Sequence, residues 1–285
     1  ERVSAGTPAD MPPFPEKEPR NRLGLARWLL HEDHPLTARV AVNRLWQMMF
    51  GRGLVETSEN FGTTGTPPTH PELLDWLARD FVSGGWDQKR ILRMIVLSAT
   101  YRQESKASKD LRERDPANSL LARFPTRRMP AEMLRDQALT LAGLLAERHG
   151  GPSVYPYQPE GLWNEAMGRP HYPRSRGEGL YRRSLYTFWK RTVPHPQMTT
   201  FDAADRSVCS ARRQATSTPL QALALLNDPQ VVEAARSLGQ RMLKEGGDTT
   251  AKRAAWAFRL VTGRAASDRE LSLLVGLFDD QKAEY

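Results

Sequence analysis

Apolar residues recur every three or four positions along much of this chain, which is the period of an α-helix. Residues 36–50 carry Val42, Leu45 and Trp46 in that register, and residues 72–82 repeat the pattern before a pair of glycines. The same spacing predicts further helices over residues 23–30, 91–101, 130–145, 229–242, 251–260 and 268–278. We therefore predict a mainly α fold, a compact multi-helix domain with a small β element and long ordered loops.

The small β element is predicted where the pattern changes to strict alternation. Over residues 185–190, Leu, Thr and Trp alternate with Tyr, Phe and Lys, which is typical of a half-buried strand. Residues 192–217 follow without periodicity, and ordered loops of that length are uncommon in compact domains unless they are functional. We expect this loop to end at Thr218, where a helix begins and Gln221 completes a capping box.

The domain organisation is predicted from shifts in composition. Residues 1–20 are rich in proline and are typical of a linker from a larger parent protein. We expect an N-terminal helical subdomain over 21–104 and a C-terminal helical subdomain over 105–285 that contains the long polar loop. One domain over 21–285 is the alternative. With 285 residues, 39% of them apolar, the chain can bury a core in either arrangement.

Charge and cysteine content narrow the classes of function. The formal net charge is +8, but 33 arginines stand against 8 lysines, a bias that we attribute to genome composition or carboxylate pairing. We therefore do not expect a nucleic-acid partner. The single Cys209 excludes an intrachain disulfide and a Cys-x-x-Cys-His haem attachment site. No apolar run approaches the roughly 18 residues of a membrane span, and no histidine pair has the spacing of a helical zinc site, so we predict no metal site.

Several blocks of residues, in a fixed order, resemble one known domain family. In the first half they are Asn43-Arg44-x-Trp46, Phe50-Gly51-x-Gly53-Leu54-Val55, Asn60-Phe61-Gly62, Pro71-Glu72-Leu73-Leu74-Asp75-Trp76-Leu77-Ala78 and Ser98-x-x-Tyr101-Arg102. In the second half they are Arg182-Arg183-Ser184-x-Tyr186, Phe201-Asp202, Asp205-Arg206, Cys209 and Thr218-Pro219-Leu220-Gln221-Ala222-Leu223. From Asn21 onwards the chain is similar to the DUF1553 (PSD1) domain family of planctomycetes and verrucomicrobia.

The resemblance implies a setting rather than a reaction. Family members are usually the C-terminal part of exported multidomain proteins with a cytochrome c domain and a companion DUF1549 domain. The resemblance therefore implies these domains as partners, a periplasmic or cell-surface location, and haem c only in a separate domain, with no cofactor in this chain. It supplies no catalytic residues. The chain departs from the family at Ser217, where members commonly have Asn in a Thr-Asn-Thr-Pro motif.

The candidate chemistry is concentrated in residues 181–228. Asp202 and Asp205 are the candidate catalytic residues, as an acid/base pair or a hard-cation site, and the alternative is an ion-pair network that pins the loop. Cationic, aromatic and amide side chains form the candidate binding set, in which aromatic faces with cations suit sugars or bases and arginines near a helix start suit an anion. This set consists of Arg182, Arg183, Tyr186, Arg206, Arg212, Arg213 and Gln214.

Three hypotheses about function follow from these residues. The first is a non-catalytic binding or scaffolding module that docks a partner domain or an anionic glycan through residues 181–228. The second is a polysaccharide-acting enzyme that uses Asp202 and Asp205 beside an arginine-lined anion site. The third, nucleic-acid binding, requires an affinity that falls steeply with salt.

Overall fold

The computed structural model describes residues 6–164 and 171–284. The helices within them are α1 (Arg22–Leu29), α2 (Thr37–Phe50), α3 (Pro71–Ser83), α4 (Gln88–Leu97), α5 (Lys109–Arg114), α6 (Ala131–Ala142), α7 (Pro196–Thr200), α8 (Pro219–Asn227), α9 (Pro229–Glu245), α10 (Thr250–Thr262) and α11 (Asp268–Glu284). Two 3-10 turns, Gly177–Leu180 and Ser184–Tyr186, complete the regular structure. The mainly α fold class is thereby confirmed. No helix of the described residues is long and apolar enough to cross a membrane.

The chain divides into two compact units, residues 1–127 and residues 128–285. The subdomain boundaries expected from the sequence stay predictions.

The first unit is built on α2, which packs against α3 and α4. The three helices were predicted from apolar periodicity, and their apolar stripes meet in one core, as that periodicity implies. Its central members are Val42, Leu45, Trp46, Phe50, Leu74, Leu77, Phe81, Ile91 and Ile95.

A polar residue lies inside this apolar core. Asn43 is fully buried, and its side chain pairs with the backbone of Val55: Nδ2 donates to the carbonyl oxygen (3.0 Å) and Oδ1 accepts from the amide (2.9 Å). A Cβ at Gly53 would lie 2.6 Å from Asn43 Nδ2 and 2.5 Å from the Val55 oxygen, so only glycine fits there. The Asn and Gly blocks of the sequence therefore form a single interlock between α2 and the following loop.

The start of α3 has no side-chain cap. The N-cap is His70, whose side chain makes no capping hydrogen bond, although Thr69 and Glu72 have the spacing of a capping box. Thr69 instead faces the preceding loop, and its amide donates to the carbonyl oxygen of Leu54 at 2.8 Å. The tertiary contact has displaced the local one.

The second unit is organised around a buried cation. Arg135 on α6 has 2% of its surface exposed. Its guanidinium donates to Gln230 Oε1 on α9 (2.6 Å) and to the carbonyl oxygens of Leu180 (2.8 Å) and Arg182 (2.8 Å). Burial lowers the pKa of Arg135 to about 10, so the side chain remains charged at neutral pH. Arg135 therefore ties α6, α9 and the segment 180–184 together.

The prediction of a strand over residues 185–190 is wrong. The segment forms the 3-10 turn Ser184–Tyr186, and the β element is reduced to isolated bridges, Ala146 with Arg182 and Val154 with Thr187. The physical reason is that side chains of α6 compete for the backbone: Asp136 Oδ1 accepts from the Ser184 amide at 2.7 Å. A ladder therefore cannot extend through this point.

The loop predicted over residues 192–217 contains one short helix, α7. The helix starts expected at Thr218 and at residue 229 are confirmed, and α8 and α9 both have proline at their first position. Asp228 caps α9 by accepting from the amides of Gln230 (2.9 Å) and Val231 (3.2 Å). Residues 104–118 also contain a short helix, α5.

Candidate functional site

The long loop between α7 and α8 is closed by a carboxylate clamp. Asp202 Oδ2 accepts from Arg128 Nη2 at 2.5 Å and from both the amide and the hydroxyl of Thr216 at 2.8 Å. Arg128 Nε also donates to the Thr216 carbonyl oxygen at 2.9 Å. Asp202 has a left-handed backbone (φ 58°), a conformation in which Asp is enriched. The clamp therefore joins the two ends of the loop 203–215.

The two candidate catalytic carboxylates have the same electrostatic character. Burial raises the pKa of Asp202, but hydrogen bonds from Thr216 and the charge of Arg128 outweigh burial and hold that pKa below its ordinary value. The Ser207 amide donates to the exposed Asp205 at 2.9 Å and lowers the pKa of that carboxyl as well. Both groups are ionised at neutral pH, whereas a general acid needs a raised pKa. Neither carboxyl therefore has the raised pKa of a general acid.

Arg182 lies inside the unit. It is 4% exposed, and its guanidinium donates to the carbonyl oxygens of Arg148, Gly150 and Pro152. The same group lies 3.9 Å from the ring centroid of Tyr186, whose hydroxyl accepts from the Gly150 amide at 2.7 Å. Arg182 and Tyr186 thus hold the turn after α6, while the neighbouring Arg183 is half-buried.

Two of the candidate anion-binding residues have separate partners. Nη1 of Arg213 donates to both carboxylate oxygens of Glu132 on α6, at 2.9 and 2.8 Å. The exposed Arg206 stacks over the ring of Trp189 with 4.6 Å between the guanidinium carbon and the ring centroid. Arg212 and Gln214 lie on the exposed part of the loop. A common role for these residues stays a prediction.

Two residues that the sequence did not single out for a role in the loop complete its framework. Gln221, 5% exposed, donates from Nε2 to the Thr200 carbonyl oxygen (2.9 Å) and to Thr216 Oγ1 (3.0 Å). Its Oε1 accepts from the Thr218 amide at 3.3 Å, which is the contribution of Gln221 to the capping box predicted from the sequence. Arg128 is 74 positions from Asp202, and no local pattern could have paired them.

Helix α8 has an inverted polarity. Its buried residue is Gln221, whereas Leu220, Leu223 and Leu226 are 59%, 56% and 74% exposed. The leucines follow one another at intervals of three, which is the spacing that normally faces a core. Ala224 is the position that contacts the small apolar cluster of Ala131, Met198 and Phe201. We call the exposed leucines Leu220, Leu223, Leu225 and Leu226 the α8 ridge.

In the described residues, no group of three or more His, Cys, Asp or Glu side chains has the geometry to hold a metal ion. Cys209 is exposed and unbridged.

Comparison with known proteins identifies one family. The profile described as "Protein of unknown function (DUF1553)", PSD1, matches residues 21–278. No curated protein and no solved structure matches the chain significantly.

Proposed function

Because the chain belongs to the DUF1553 (PSD1) family, whose description assigns no activity, we propose a function from its geometry: it is a docking module whose α8 ridge binds another protein domain. The observation that carries this proposal is the inverted polarity of α8. This helix buries its glutamine and exposes its leucines, and Gln221 anchors it to Thr200 and Thr216. Exposed leucines grouped on one short helix in this way are typical of an interaction site.

The charges beside the ridge define the chemistry of the partner. Helix α8 contains no charged residue, and the loop that leads into it carries Arg206, Arg212 and Arg213. Trp189, on which Arg206 stacks, packs against the same small apolar cluster as Ala224 of α8. An apolar patch in the neighbourhood of the exposed Arg206 fits a protein surface that presents apolar side chains beside a carboxylate.

A protein partner is favoured over an anionic glycan for a specific reason. Arg182 is buried on carbonyl oxygens and Arg213 is neutralised by Glu132, so two of the arginines that a sulfate or uronate would need have internal partners. The leucines of the ridge, in contrast, suit apolar burial and not a polyanion.

The family resemblance supplies the candidate partners. We propose that the partner is a cytochrome c or DUF1549-type domain of the same parent protein, that haem c is held by that separate domain, and that the whole protein is exported. These steps rest on the resemblance, and the α8 ridge supports only the docking itself.

Isothermal titration of the purified chain with each separately produced partner domain tests the proposal. We expect one domain to bind, and the pair Leu225→Glu and Leu226→Glu to weaken binding at least tenfold, because charges replace the apolar contact. Leu120→Glu changes a leucine of the first unit that is 71% exposed and is the matched control, which we expect to bind as the parent chain does.

Three results would count against docking through α8. They are the absence of binding by either domain, an equal loss in the Leu120→Glu control, and full binding by the double Glu variant. Binding of sulfated oligosaccharides in place of both domains would support the glycan hypothesis instead.

A further inference from the structure

The last three helices of the second unit leave an open apolar groove. Helix α10 packs against both α9 and α11, and the groove that the three helices line has a volume of about 700 Å³. Its lining includes Ala254 and Phe258 of α10, Leu243 of α9 and Phe278 of α11. Leu243 and Phe278 are 62% and 50% exposed, so the apolar side chains of the groove are open to a partner from outside.

Helix α11 has more apolar surface than α10 covers. The helix is described over its whole length, and none of its residues is buried. Its apolar residues are Leu271, Leu273, Leu274, Val275, Leu277 and Phe278. At about 100° per residue they span about 200° of the helix circumference, twice the stripe of about 100° that faces one core. Leu274 and Phe278 line the groove, whereas Leu273 and Leu277 are 65% and 60% exposed on the outer side of α11.

The outer side of α11 matches the groove in charge as well as in polarity. Positions at intervals of four, three and four share one side of a helix, and on α11 they are Leu273, Leu277, Asp280 and Glu284. Among the described residues that line the groove, Arg253 at the start of α10 is the charged one. A helix side with two leucines followed by two carboxylates therefore complements an apolar groove with an arginine at one end.

We propose that this groove is the interface of a homodimer, in which each copy places the outer side of its α11 in the groove of the other. Helices α10 and α11 are joined by the short connection 263–267 and form an antiparallel hairpin. A two-fold axis parallel to both helices therefore brings Asp280 and Glu284 of each copy to Arg253 of the other. Symmetry forms this contact twice and completes a four-helix bundle from the two hairpins.

A second copy accounts for more of this surface than other apolar partners do. An acyl chain in the groove would leave Leu273 and Leu277 exposed, whereas the dimer covers the groove and the outer leucines together. A membrane surface that carries anionic lipids would repel Asp280 and Glu284, which lie on the same side as those leucines. The proposal does not depend on docking through the α8 ridge, because the two surfaces share no residue.

Analytical ultracentrifugation of the whole purified chain tests the proposal. We expect a dimer at a chain concentration of about 100 µM. The double change Leu273→Glu and Leu277→Glu should raise the dissociation constant at least tenfold, because it places charges in an apolar contact. The matched control is the double change Leu97→Glu and Leu120→Glu, two leucines of the first unit that are 57% and 71% exposed, and it should dimerise as the parent chain does.

Charge reversal tests how the two copies are paired. Arg253→Glu and Asp280→Arg should each weaken the dimer about tenfold, because each variant alone opposes like charges at both symmetric contacts. A mixed dimer with one copy of each variant opposes unlike charges at both contacts. An equimolar mixture should therefore recover the dissociation constant of the parent chain to within about threefold. Thermal unfolding establishes that each variant is folded, and the leucine pair with its control decides the question if Arg253→Glu is not.

The proposal would be overturned by a chain that stays monomeric at about 100 µM, or by a dimer that the change of Leu273 and Leu277 leaves intact. A mixture of the charge variants that dimerises no better than either variant alone would also overturn it. A monomeric chain that binds phosphatidylcholine vesicles through Leu273 and Leu277 would replace the second copy with a membrane surface. The Leu225→Glu and Leu226→Glu variant should keep the dimer, and its loss there would overturn the proposal by placing the contact on the α8 ridge.

Discussion

Each of the two units is stabilised internally, and the interactions that do so differ between them. In the first, three periodic helices bury a continuous apolar core around Val42, Leu77 and Ile91, with one asparagine inside it. In the second, the apolar cluster of Ala131, Met198 and Phe201 is small. In the second unit, three buried polar side chains connect the helices to the irregular segments. They are Arg135, Gln221 and Gln230.

The difference explains why the unusual surface belongs to the second unit. An apolar core determines which face of a helix turns inward, because the apolar stripe must be buried. Where hydrogen bonds from a buried glutamine fix the helix instead, the leucines are free to face outward. The polar framework of the second unit is thus what allows α8 to present its ridge.

The largest effect that tests this comparison is expected from Arg135→Met. The variant keeps a long side chain but leaves the carbonyl oxygen of Arg182 and Oε1 of Gln230 without their donor, and we expect a loss of about 4 kcal/mol. Urea unfolding measures this, and Arg236→Met, an exposed arginine on α9, should stay within about 0.5 kcal/mol of the parent. A loss of stability below about 1 kcal/mol would mean that the second unit does not depend on the hydrogen bonds of Arg135.

A smaller loss of stability is expected from Asn43→Ala. This variant tests whether the first unit, with its apolar core, also depends on the buried side-chain amide of Asn43. The change leaves the Val55 amide unpaired inside the core and its carbonyl oxygen with only the long bond from Ser58 Oγ (3.4 Å), at a cost of about 2–3 kcal/mol. Hydrogen exchange of the Val55 amide should accelerate together with the loss of stability. Unchanged protection of that amide would show that another group replaces Asn43.

The comparison also separates what the sequence predicts from what it does not. In the first unit, α2, α3 and α4 follow from apolar periodicity, because burial of one stripe is a local property of the chain. In the second, α8 and α9 follow from their caps and prolines, which are local as well.

The rest of the second unit depends on partners that are distant in the sequence. Residues 185–190 alternate like a strand, yet Asp136 and Arg135, roughly 50 positions earlier, take up the backbone of the adjoining segment. The sequence indicates Asp202 as a candidate carboxylate, but its contacts with Arg128 and Thr216 form only in the folded chain. A long-range hydrogen bond leaves no periodic trace in a sequence, so no pattern of spacing could have identified the clamp.

The smallest effect is expected from Asp202→Asn, a variant that removes the charge of the clamp and keeps the left-handed backbone, which Asn also tolerates. The pKa of Asp202 is lower in the folded chain than its ordinary value, so its contribution is fully present above about pH 4 and is lost as the pH falls through the depressed value. We expect the variant to be about 1.5 kcal/mol less stable at pH 7. In urea unfolding at successively lower pH, that gap should close as the parent carboxyl takes up its proton. If the difference in stability between the two proteins stays constant down to pH 2, the loss comes from altered hydrogen-bond geometry and not from the charge. The clamp would then resemble the uncharged hydrogen bonds of Asn43 in the first unit.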